Sequence, residues 1–219
     1  MKGILFDLDG TLLDSTGLWE ELDKEFLRVR GIEPPEGLTM AVKDMTVPQA
    51  AAYYAANFPL NMTPEEIVAA VGEMAGEAYR ETLPLKAGAA EFLSTLHARG
   101  IPFGLVSVNM QALAEAALQR NGVRELFQFV VTPESGEPGK ESPLLYLRGA
   151  EMLHAKPNEV VIIEDALYAA KTAKAAGFYT VGFYDEASRD DWIALEELCD
   201  KMAGSWFSLN TPEFLGKFR

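Results

Sequence analysis

The chain has 219 residues, 48% of them hydrophobic, and a formal net charge of -14. That length and composition suit a folded protein with one sizeable core and a modest accessory unit. The acidity excludes nonspecific binding to nucleic acid and docking on anionic membranes, and the single Cys199 excludes an internal disulfide or an all-cysteine metal site.

From the N-terminus, the apolar run Ile4-Leu5-Phe6 predicts a buried strand of a parallel sheet. Asp7 and Asp9 interrupt it at once, which is no signal-peptide pattern. No later run approaches membrane-spanning length, so a cytoplasmic protein is expected. Gly10 and Thr11 mark a turn. Leu18, Trp19, Leu22, Phe26 and Val29 then recur at three- and four-residue spacing, the apolar face of a helix ending near Gly31. Pro34-Pro35 marks a loop, and a second helical stretch with Ala50, Ala51, Tyr53 and Tyr54 follows Pro48. Thr63-Pro64-Glu65-Glu66 combines an N-cap, a proline at the first helical position and a glutamate three residues after the cap. It opens a helix running to about Arg80, so residues 16–83 read as an all-helical insert, a small domain of its own.

Alternation of strand and helix resumes at Gly88. Helices are predicted over 89–99, 109–121, 142–153 and 165–176, and strands over 101–106, 127–131, 160–163 and 179–183. This order predicts an α/β core, a Rossmann-like parallel sheet with helices on both faces, built from residues 1–15 and 84–219. Trp192, Leu195, Leu198 and Met202 read as one more amphipathic helix, with Cys199 a buried or half-buried helical residue; 206–219 carries no pattern that assigns it. His97 and His154 fall on core helices and read as structural.

The polar residues that stand out lie just beyond strand ends. In extended backbone, residues two apart point the same way, which brings Asp7 and Asp9 together where open α/β sheets hold ligands. Two such charges repel unless a cation or a proton intervenes. Ser107 ends the second core strand and could donate to a phosphate oxygen, although a lone serine there is more often an ordinary turn residue. Lys140 follows a glycine and precedes a helix, where it could reach an anion site; a lone loop lysine is usually solvated surface. Glu164-Asp165 puts two acids at the end of a buried strand, an arrangement that a divalent cation would relieve.

The run Asp7-Leu8-Asp9-Gly10-Thr11-Leu12-Leu13-Asp14-Ser15 resembles the nucleophile motif of the haloacid dehalogenase-like hydrolase superfamily, most of whose members are magnesium-dependent phosphatases. Ser107, Lys140 and Glu164-Asp165 match the remaining motifs in order and context, and the likeness extends to about Asp185 with a helical cap between the first two motifs. Two departures are visible. Ser107-Val108-Asn109 stands in place of a Thr-Asn-Ser kind of triplet, and Lys140 is followed by Glu-Ser-Pro instead of Pro-x-Pro.

The resemblance implies that Asp7 attacks phosphorus and that Asp9 acts as general acid and then base. It implies Mg²⁺ held by the Asp7 carboxylate, the Asp9 backbone carbonyl and the Asp165 carboxylate, with Glu164 beside the ion or ligating it. Ser107 and Lys140, with the backbone near Leu8, Asp9, Val108 and Asn109, would hold the phosphoryl oxygens. The implied partner is a small phosphorylated metabolite, and the implied assembly a monomer or weak dimer. A dehalogenase is disfavoured, because that reaction needs neither the metal nor an acid at Asp9. Alternatives are a sugar phosphomutase resembling β-phosphoglucomutase, or a non-catalytic phosphate-binding protein. Against the mutase, Trp19 stands where such enzymes place a histidine, and Val47 in Lys43-Asp44-Met45-Thr46-Val47 where they place an arginine, so both polar groups that would engage the sugar read as apolar in this chain. Lys24, Lys43, Tyr53 and Tyr54 are cap residues that could face the site or simply pack.

Overall fold

The computed structural model describes residues 1–42, 45–134 and 136–218. Lys43 and Asp44, named above, lie outside them. Among the described residues six parallel strands form one sheet: β1 (Gly3–Phe6), β2 (Phe103–Val106), β3 (Val130–Val131), β4 (Val160–Glu164), β5 (Tyr179–Phe183) and β6 (Lys201–Ala203). Their spatial order is β3-β2-β1-β4-β5-β6, so β1 sits centrally and the chain reverses direction across the sheet on either side of it. That reversal opens a crevice at the carboxyl ends of β1 and β4.

The sheet is covered on both faces, as predicted. Ile4 and Phe6 of β1, with Val161 and Ile163 of β4, join one apolar cluster, while Leu5, Val160 and Ile162 join another. Period-two alternation in two adjacent parallel strands divides the core this way. The first face takes α5 (Ala89–Ala98) and α6 (Gln111–Arg120), and the second takes α7 (Leu144–Met152) and α8 (Leu167–Ala175).

Between β1 and β2 the described chain from 16 to 82 is helical, with no strand. It comprises α1 (Thr16–Arg28), α2 (Leu38–Val42), α3 (Val47–Asn57) and α4 (Pro64–Glu77), followed by a π-helical turn over Ala78–Thr82. Capping boxes start α3, with Thr46 and Gln49, and α4, with Thr63 and Glu66. The two passes joining this insert to the sheet run antiparallel: Lys86 N–H donates to Leu12 O at 2.8 Å and Asp14 N–H to Pro84 O at 3.1 Å.

Three expectations for the carboxyl-terminal half need correction. Met202 is not helical: α9 (Trp192–Leu198) stops early, and Met202 lies in β6, where it packs over Gly182. A Cβ at Gly182 would fall 2.6 Å from the Met202 sulfur, so the glycine permits this edge strand to close. Cys199 therefore caps α9 in extended backbone, half-buried but not helical. His154 is not in a helix but in a left-handed turn after α7 (φ 51°), and both it and His97 on α5 are exposed. The unassigned tail contains α10 (Trp206–Leu209) and α11 (Pro212–Leu215). Its Trp206 is fully buried and stacks on Phe183 and Phe92, with centroids 4.4 and 5.2 Å away. No helix among the described residues is long and apolar enough to cross a membrane.

Candidate active site

The loop after β1 is folded tightly against the loop after β4. Leu12 and Leu13 N–H both donate to Leu8 O, at 2.9 and 2.8 Å, which closes the turn. Gly10 adopts φ 83°, and a Cβ there would lie 2.6 Å from Asp165 Oδ2. Only glycine allows both the turn and this approach. Thr11 then donates its hydroxyl to Asp165 Oδ1 at 2.8 Å.

Around Asp7 the predicted residues converge. Lys140, only 2% exposed, donates to both Asp7 Oδ1 and Glu164 Oε1. Tyr146 on α7 donates to the same Glu164 oxygen at 2.7 Å. Asp7, Glu164 and Asp165 are all buried, and each offers a carboxylate oxygen within 4.8 Å of the others. Burial raises the pKa of Asp7 well above the usual carboxylate value, Glu164 and Asp165 add to this, and Lys140 opposes it. Asp165 is pushed up to about 7 by burial and then by Glu164, with Thr11 opposing. For Lys140, burial acts to lower the pKa, but Asp7 and Glu164 outweigh it and hold the ammonium charged. Three carboxylates facing one ammonium leave excess negative charge in a dry place. An all-oxygen donor set with that excess fits a hard divalent cation.

Asp9 lies outside that cluster, in a shell of neutral donors. Its Oδ1 accepts from Ser15 Oγ at 2.7 Å, from the Tyr79 hydroxyl, and more distantly from Trp19 Nε1 at 3.5 Å. Its Oδ2 accepts from Asn109 Nδ2 at 2.8 Å. Tyr79 itself accepts from Trp19 Nε1 at 2.7 Å and from Asn109 Nδ2 at 2.8 Å, so its one proton goes to Asp9. Burial, and then Asp9, raise the Tyr79 pKa well above the usual phenol value and keep that proton in place. Tyr79 sits in the π-helical turn at the end of the insert, a local widening often found at functional sites.

Several sequence expectations are refined here. Trp19, read as an apolar replacement for histidine, supplies a polar N–H to the Asp9 network. Asn109 reaches Asp9 through its side chain, while its backbone N–H donates to Ser107 Oγ at 3.1 Å. Asp7, Asp9, Ser107, Val108, Asn109, Lys140, Glu164 and Asp165 all line one cavity of about 460 Å³; Leu8 is buried in the core and does not. Of the cap residues considered, Tyr54 lines the cavity; Tyr53 packs on Tyr54 and Phe58, and Lys24 pairs with Glu21. Val47 lines the cavity and is apolar, as expected. Tyr79 and Tyr146 escaped the sequence reading: each occupies a helical position whose spacing fits core packing, and nothing local announces a distant carboxylate.

A family model described as haloacid dehalogenase-like hydrolase matches residues 1–177. The chain belongs to the haloacid dehalogenase-like hydrolases. Within this family, hexitol phosphatase A of Escherichia coli (strain K12) is 31% identical over 182 residues, covering 82% of each chain. Validoxylamine A 7'-phosphate phosphatase of Streptomyces hygroscopicus subsp. limoneus is 28% identical over 181 residues, covering 83% of this chain and 84% of that one. Among solved structures, CbbY from Rhodobacter sphaeroides in complex with phosphate superposes with a TM-score of 0.85 over 99% of each chain, at 21% identity, a likeness of fold. A HAD family hydrolase from Deinococcus radiodurans R1, solved with bound phosphate and sodium, is 27% identical with a TM-score of 0.72, covering 100% of this chain and 97% of that one. The expectation of a phosphatase in this family is met by these haloacid dehalogenase-like relatives.

Proposed function

We propose that the protein is a Mg²⁺-dependent phosphomonoesterase that acts on a small phosphorylated metabolite through an aspartyl-phosphate intermediate. In this reading residues 16–83 form a cap over a catalytic core of 1–15 and 84–219, and the enzyme works in the cytoplasm as a monomer or weak dimer. One observation carries it: two carboxylates leave β1 into opposite surroundings, Asp7 beside Lys140 and two more acids, Asp9 among neutral donors. Paired carboxyls whose environments differ so sharply are suited to different chemical roles.

Asp7 is the nucleophile. Its oxygen forms a bond to phosphorus as the bond from phosphorus to the leaving oxygen breaks. Asp9 gives a proton to the leaving alkoxide, then takes one from the water that cleaves the acyl phosphate and regenerates Asp7. Lys140 and Ser107 hold the phosphoryl oxygens and offset their charge. The carboxylates of Asp7 and Asp165, with the Asp9 backbone carbonyl, would hold Mg²⁺, whose charge lets an anionic nucleophile meet an anionic ester. Glu164, engaged by Lys140 and Tyr146, fixes the lysine.

Hydrolysis is favoured over sugar-phosphate isomerisation by Trp19 and Val47, which line the cavity at the positions where a mutase carries a histidine and an arginine. The test is incubation with β-glucose 1-phosphate, Mg²⁺ and a trace of the bisphosphate, alongside a panel of phosphorylated metabolites. Inorganic phosphate is the expected product. Glucose 6-phosphate forming faster than phosphate would overturn the reading, as would a panel with no phosphate release.

A further inference from the structure

Beyond the carboxylates, the described residues on the insert's wall of the cavity are mostly apolar, with Val42, Val47, Ala51 and Val71, and include the polar pair Asp23 and Tyr54. Tyr54, on α3 and 1% exposed, donates its hydroxyl to Asp23 Oδ1 at 2.6 Å. Its ring is anchored by Phe26 and Phe58, with centroids 5.4 and 5.8 Å away. The bond fixes the carboxylate and leaves its second oxygen as an acceptor; no described residue donates to it. Burial holds the Asp23 carboxyl above its ordinary range, while the Tyr54 hydrogen bond and then Lys24 pull the other way. A purely structural bond to Tyr54 needs one neutral acceptor, which an asparagine would provide with less desolvation.

Position adds a second argument. Asp23 is four residues after Trp19 on α1, hence on the same helix face and about 6 Å further along the axis. Trp19 meets Asp9 at one end of this span. Asp9, beside the proposed leaving oxygen, and Asp23 therefore bracket the space that the leaving group fills.

We infer that Asp23, held by Tyr54, determines specificity by accepting a hydrogen bond from a hydroxyl or ammonium group on the leaving group, several carbons from the phosphate ester. The inference rests on the phosphatase reading and narrows it to esters with a donor at the far end of their skeleton.

The test uses straight-chain alkyl phosphates of graded length and their ω-hydroxy and ω-amino counterparts, with p-nitrophenyl phosphate as the reference ester. At a matching chain length, the hydroxy or amino ester should exceed the plain alkyl ester in kcat/KM by about ten- to a hundred-fold, the worth of one hydrogen bond to a charged group. Which of the two wins identifies the donor. Asp23→Asn, which keeps an acceptor for Tyr54, should collapse that ratio; Tyr54→Phe, which frees the carboxylate to move, should reduce it. Melting temperature reports folding of both variants, and either one alone suffices to read the ratio. Equal rates for donor-bearing and plain esters at every length, with p-nitrophenyl phosphate still hydrolysed, would overturn the inference and leave the phosphatase standing. An undiminished ratio in Asp23→Asn would also overturn it. No phosphate released from any ester would instead defeat the phosphatase reading, and this inference with it.

Discussion

Tyr79 donates its hydroxyl to Asp9 across 70 residues of sequence, from the end of the helical insert to the loop after β1. Trp19 and Asn109 both donate to that hydroxyl, so it has no other use for its proton. The proposed acid/base group is thus oriented by Tyr79 and Trp19 from the insert and by Asn109 from the loop after β2, with Ser15 beside them, and its geometry depends on how the two halves pack.

Tyr79→Phe tests this orientation. Turnover of alkyl phosphates, whose poor leaving groups need a well-placed proton, should fall about tenfold or more. p-Nitrophenyl phosphate, which leaves readily without one, should be affected less. The two rates measured on the same variant check the prediction; equal losses would place Tyr79 in general packing instead.

Asp7→Asn removes the proposed nucleophile and should lower phosphatase activity by about three orders of magnitude or more. Its effect on stability runs the other way. Burial and Glu164 outweigh Lys140 in raising the Asp7 pKa, so the fold disfavours a charge there. Without metal and at neutral pH, the amide should melt no lower than wild type, which thermal unfolding in chelator measures.

Protons and metal should compete for the same cluster. Asp165 moves from 3.8 to about 7 in the fold, and Asp7 is raised as well. A carboxyl that binds its proton more tightly when folded stabilises the fold below its unfolded pKa. That stability is lost as pH rises through the folded value, here about 7. Metal-free protein should therefore melt progressively lower as pH rises from about 4 through about 7. The increase in melting temperature from added Mg²⁺ should grow over the same window. A metal effect independent of pH would contradict this.

Lys140→Met should be both inactive and unstable. It strips the one ammonium from buried Asp7 and Glu164. Breaking a buried pair by removing one partner costs about 3–5 kcal/mol. The double variant Lys140→Met with Glu164→Gln, which removes a stranded charge as well, should recover part of that loss in denaturant titration without recovering activity.

The sequence by itself determined where the candidate site residues would gather. Short continuous apolar runs, glycine stops and the alternation of strand with helix are local signals. They placed Asp7, Asp9, Ser107, Glu164 and Asp165 at strand ends with no knowledge of packing. Only the tertiary structure decided what surrounds them. Tyr79, Trp19, Tyr146 and Asp23 lie on helices, where spacing along the chain tells which face a residue shares but not what that face meets. β6 stayed hidden for a related reason: a three-residue edge strand has too few residues to show a period, and Met202 fits a helical spacing as well as a seat over Gly182. Contacts between residues tens of positions apart are set by how whole faces pack, and that information belongs to the assembled fold.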